Sequence, residues 1–122
     1  MPAQLLDPKS LAPGLGDLTK TMVERYKAKT SATDVPPHCS MGFNQTWVLL
    51  NNVLPVAKEK YGGFDAEAVR KAALDVDIPP GGTIQGYGVK FFPPGTPMSG
   101  QNERSTPVVM QNAGEHLSLI HI

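Results

Sequence analysis

Leu18, Met22, Val23 and Tyr26 recur every three or four positions among polar residues, the spacing of one apolar helix face. This predicts a helix over Asp17–Lys29 with Asp17 as its N-cap. Polar Thr30–Pro37 reads as a loop. The longest periodic run is Ser40–Lys60, where Phe43, Trp47, Leu50 and Leu54 form a stripe expected to be buried. Pro55 lies inside this run and is expected to kink it or split off its last turn. Gly62-Gly63 stops it. Asp65 is then expected to cap a short helix, Ala66–Val76, with Glu67 near the positive end of its dipole and Arg70 and Lys71 further along. After a Pro/Gly turn at Asp77–Gly82 the period changes to two. Tyr87, Val89 and Phe91 alternate with Gly88 and Lys90, as in a strand with one apolar side. Pro93-Pro94-Gly95 ends that strand, a polar loop follows, and Val108–Met110 reads as a second, shorter strand completing a β-hairpin.

Composition narrows the classes. The chain has 122 residues, enough for one ordinary domain. Forty per cent hydrophobic and 18% charged residues describe a globular chain. A formal net charge of zero removes the electrostatic footprint of a nucleic-acid or anionic-membrane binder. No apolar run approaches the roughly 20 residues that cross a bilayer. The single cysteine, Cys39, excludes an internal disulfide. Met1 is followed by PAQLLDP, without the basic start and apolar centre of a secretory signal.

Motifs with possible chemistry are few. His38-Cys39 could suggest a thiol dyad, but neighbours in a chain seldom face each other productively. His38, Cys39 and His116 lack zinc-ligand spacing, so no metal or cofactor is expected. GGTIQGYG precedes a strand rather than a helix and lacks the phosphate-binding context. Its glycines suit a twist, a bulge or a close backbone approach. Asn102–Ser105 reads as a solvated loop tip. The segment His38–Phe43, HCSMGF, is the best ligand-contact candidate. It enters the long helix, where unpaired N–H groups face outward. Small Ser40 and Gly42 would let a solute approach, Phe43 could wall an apolar side chain, and Met41 between them belongs to the same candidate set. The competing reading makes Phe43 the first core residue of its stripe.

The order of these segments resembles the C-terminal part of bacterial ABC-transporter substrate-binding proteins. It is most similar to the type I periplasmic binding family that captures branched-chain amino acids. The resemblance rests on the strand, Phe-Pro-Pro-Gly and short Met-Gln-ending strand within Gly81–Gln111, on GFNQTWVLLNNVL and on GGFDAEAVRKAAL. It covers nearly all of Met1–His116. It implies an α/β fold, a partial periplasmic-binding-protein-like I domain with helices and a hairpin from one lobe of a two-lobed protein. Residues 1–8, with Pro2 and Pro8, would be the connector between lobes. It implies a non-enzymatic solute-binding component, with an amino acid or amide-like ligand, a membrane permease as partner and a periplasmic location. The signal peptide would then lie in a missing N-terminal part, Met1 would be an internal methionine, and most ligand contacts would lie upstream. Residues 117–122, LSLIHI, match the translation of a transposase adapter used in sequencing libraries and are expected to be non-native. Two other readings stand beside this one. The first is a cytoplasmic ligand-sensing regulator with the same fold. The second is a small Cys39-dependent enzyme.

Overall fold

The computed structural model describes residues 11–106, 109–112, 114 and 117–120. The expected connector at 1–8, with Pro2 and Pro8, lies outside the described residues, as do Val108 and His116. Gly14, at φ 86°, turns the chain into helix α1, Leu15–Thr30. The helix therefore begins ahead of Asp17, which occupies its first turn rather than its N-cap. The Ala12 N–H donates to the Gly81 carbonyl at 2.8 Å and ties this end of the chain to a later turn. Between α1 and the next helix the loop is not wholly polar in use, for Val35 is completely buried there.

The long helical run exists, but in three parts. Helix α2 spans Pro37–Val48, a five-residue π turn spans Leu49–Val53, and helix α3 spans Leu54–Tyr61. Pro55 explains the interruption. It has no N–H for the Asn51 carbonyl, and its ring crowds that carbonyl in a regular α-helix. The chain responds with a wider turn, in which the Leu54 N–H reaches back to the Leu49 carbonyl. Gly62, at φ 80°, closes α3, and the Gly63 N–H donates to the Ala57 carbonyl at 3.2 Å.

The π turn decides which face is buried. Ser40, Asn44, Val48, Val53 and Ala57 face inward, every fourth residue except for one five-residue step across the turn. The expected stripe is therefore corrected. Trp47 and Leu50 are 39% and 56% exposed, and Phe43 and Leu54 are half-buried. Small side chains line the inner row because α3 packs closely on helix α4, Ala66–Leu74, through Ala57, Ala68 and Ala72. Asp65 caps α4 as expected, its carboxylate accepting from the Ala68 N–H at 3.0 Å. Arg70 makes two hydrogen bonds to Glu67, at 2.9 and 2.7 Å. Asp75 accepts from Lys60 Nζ at 3.0 Å and from the Tyr61 hydroxyl, pinning the end of α3 to the end of α4.

The described residues are mainly helical, and the expected hairpin between Tyr87–Phe91 and Val108–Met110 is not formed. Val89 instead pairs with Ile78 in an isolated antiparallel bridge, with hydrogen bonds of 2.9 Å each way. On the other side, Phe91 bridges Asn102. The Asn102 side chain takes the place of a partner strand. Its carbonyl accepts from the Lys90 N–H at 3.0 Å and its NH₂ donates to the Gly88 carbonyl at 2.9 Å. Arg104 adds a hydrogen bond to the Ile78 carbonyl at 2.8 Å and an ion pair with Asp77. Asn102 and Arg104 thus act as a clamp, not as a solvated tip. A Cβ at Gly88 would run into the Ile78 carbonyl, so this glycine serves close backbone approach. Downstream, strands β1, Val109–Asn112, and β2, Leu117–Ile120, pair antiparallel, Val109 opposite Ile120.

Candidate functional site

Helix α2 begins at Pro37, where a missing N–H costs nothing. Cys39 and Ser40 are therefore already inside the first turn. Their N–H groups donate to the Pro36 carbonyl at 3.0 and 3.3 Å, so these donors are not free to meet a ligand. Ser40 is 1% exposed and its hydroxyl donates to the Pro37 carbonyl at 2.8 Å. Met41 is 40% exposed on the opposite side of the turn. Phe43 is half-buried against the cluster of Met22, Val35 and Ile84. Its ring stacks on that of Trp47, with centroids 6.0 Å apart and planes at 19°.

Phe43 also lines an open pocket of about 550 Å³ between α1 and α2, with Met22, Arg25, Tyr26, Lys29 and Cys39. Phe43 thus packs against the core cluster with part of its ring and faces this pocket with the rest. No acidic residue lines this pocket, and Arg25 and Lys29 bring two positive charges to it. An apolar floor beside cations suits a small apolar carboxylate. The Cys39 thiol donates to the Tyr26 hydroxyl at 3.7 Å, and no hydrogen bond joins it to His38 among the described residues. That contact, more than burial, raises the Tyr26 phenol above its ordinary range. Among the described residues no group of three or more His, Cys, Asp or Glu could hold a metal ion.

A second cavity, of about 370 Å³, opens where the π turn meets α4 and the 87–91 segment. Val53, Val69, Val89 and Phe91 are among its apolar walls, and Asn44, Tyr87, Asn102 and Ser105 are polar lining groups. Sequence reasoning missed it because its walls come from four separate segments. The only local signal was Asn44, a polar residue in a helical run.

Over 102 residues, 84% of this chain, the sequence is 37% identical to a Brucella suis biovar 1 (strain 1330) protein named Leu/Ile/Val-binding protein homolog 7. Its namesake in Brucella abortus (strain 2308) is also 37% identical over 102 residues, and that in Brucella melitensis biotype 1 is 36% identical. The match covers 22% of each of these relatives, so the chain spans about a fifth of their length. No family model matches, and no solved structure matches. The chain is thus a relative of proteins named for Leu/Ile/Val binding rather than for catalysis. No helix among the described residues is long and apolar enough to cross a membrane.

Proposed function

We propose that this chain is part of the solute-binding component of an ABC importer, one that captures a branched-chain amino acid or a similar small polar solute. The reading rests on the 37% identity over 102 residues to proteins named for Leu/Ile/Val binding. The ordered motifs from GFNQTWVLLNNVL to the Phe-Pro-Pro-Gly turn support it. Residues 1–116 would belong to a two-lobed α/β protein of the periplasm, with Pro2 and Pro8 in the connector. The solute would be held by closure of the lobes about that hinge and released to the permease.

The contribution of this chain to the ligand is the start of α2. Phe43 would wall the apolar side chain, with Met41 exposed beside it and Ser40 holding the first turn in place. Phe43→Ala is then expected to weaken binding by about 1–3 kcal/mol, and Phe43→Leu by less. The measurement is calorimetric titration of leucine, isoleucine and valine into the longer protein of which this chain would be a part. Unchanged affinity in Phe43→Ala would leave Phe43 a core residue only. Absence of any branched-chain amino acid binding in the parent protein would remove the assignment itself.

A further inference from the structure

The cavity at the π turn has a chemistry unlike that of the Phe43 pocket. None of its lining residues carries a carboxylate, ammonium, guanidinium or imidazole group. Apolar side chains supply most of the wall, and uncharged amide and hydroxyl groups supply the rest. Asn44 is 4% exposed, and among the described residues its side chain makes one hydrogen bond, to Gln85 Oε1 at 3.4 Å. An asparagine amide offers two N–H donors and a carbonyl acceptor, so most of the capacity of Asn44 is unspent where it lines the cavity. The Tyr87 hydroxyl donates to the same Gln85 oxygen. Burial raises the Tyr87 phenol above its ordinary range, so this lining hydroxyl is uncharged at neutral pH, as an ordinary phenol is, and stays so further into the alkaline range. The π turn itself forms part of the wall through Leu49 and Val53.

We infer that this cavity is a binding site for a small neutral amphipathic molecule, an aliphatic body carrying a carboxamide or hydroxyl group. Its volume of about 370 Å³ falls within the range of small-molecule sites, roughly 300–1,000 Å³. The carboxamide would pair with the Asn44 amide, each group giving and accepting one hydrogen bond. A zwitterionic amino acid or a carboxylate would shed its hydration here without meeting an opposite charge. The site is therefore independent of the amino-acid reading above and selects against that class of ligand.

The test uses the 122-residue chain and three probes of one carbon skeleton: 4-methylpentanamide, 4-methylpentanoate and leucine. Saturation-transfer NMR at low protein concentration reads binding, and circular dichroism checks the fold. The amide is expected to bind at millimolar concentration or tighter, and at least about tenfold more tightly than either charged probe. Ala73→Leu places extra carbon in the cavity and is expected to abolish amide binding. Ser105→Leu, at an exposed lining position, does the same without touching the α3–α4 contact and serves if Ala73→Leu does not fold. Equal binding of the amide and the carboxylate would overturn the inference. So would absence of amide binding at 10-fold above a millimolar, or amide binding that survives the folded cavity-filling variant.

Discussion

Side-chain size, rather than hydrophobicity alone, governs which residues of the long helical run are buried. Trp47 is the largest apolar residue in it, yet it is 39% exposed, whereas Val53 is 5% exposed. In this chain Val53→Ala is therefore expected to cost about 2 kcal/mol, from lost burial and the cavity it leaves. Trp47→Ala is expected to cost about 1 kcal/mol or less, mostly its stacking on Phe43. Urea unfolding of the two variants measures both, and a larger loss at Trp47 would contradict the facing described here. The same residues show what the sequence could and could not say. Asp65 was legible as a cap because capping depends on neighbours three residues away. The burial of Ser40 and Asn44 was not, because it depends on what α3 and α4 require at a distance. The packing of Phe43 on the core was legible from its place at the head of the apolar stripe.

The π turn is the element on which the helical register depends. Periodicity predicted the helical segments close to their observed bounds, but a 3.6-residue period cannot anticipate one five-residue step. Pro55 signalled a break without saying that the break would rotate the following face. Deleting Asn52 would restore a regular four-residue spacing of the inner row but force Pro55 into an ordinary helical turn, at about 3 kcal/mol. Deletion of Asn52 combined with Pro55→Ala is expected to recover most of that loss, a non-additive pair in a double-mutant cycle. Simple additivity in urea unfolding would show that the proline does not impose the turn. The clamp between α3 and α4 carries a pH signature. The Tyr61 hydroxyl first, then the Lys60 ammonium, hold the Asp75 carboxyl below its ordinary range. That contribution is complete above about pH 4 and is lost as pH falls through the lowered value. The hydrogen bond to Asp75 raises both Tyr61 and Lys60. Their share is complete below about pH 10 and is lost as pH rises through the raised values. Thermal unfolding of Asp75→Asn is expected to show a lower plateau and a shallower acid limb than the parent. The difference should shrink in high salt, because these groups lie at the surface. The missing hairpin belongs to this scale as well. The alternation at 87–91 yields isolated bridges at Val89 and Phe91, but a side-chain amide, that of Asn102, occupies the hydrogen-bonding edge a strand would need. Pattern reading has no means of seeing that substitution.

Taken whole, the described part of the molecule has a core mainly of valine and alanine, joined by Met22 and Ile84, and leaves several large apolar side chains on its surface. Val35 and Ser40 are the largest fully buried side chains, while Leu50, Phe64 and Met98 are 56%, 60% and 46% exposed. So small a buried volume supports modest stability, and so much exposed apolar surface favours association. The chain is expected to show concentration-dependent sedimentation and a broad thermal transition; a sharp transition from a strictly monomeric species would refute this. A longer protein of the proposed kind would cover the ridge formed by Trp47 and Leu50, and there Trp47→Ala would become the costly substitution. The position of Trp47 has a practical consequence. It is the sole tryptophan of the chain, and it stands on the exposed ridge beside Leu50. The ridge therefore carries its own optical reporter. A partly hydrated indole emits toward the red, and enclosure by any partner surface moves that emission to the blue. Assembly of this face can be followed by intrinsic fluorescence, without a label and without a background from any other indole.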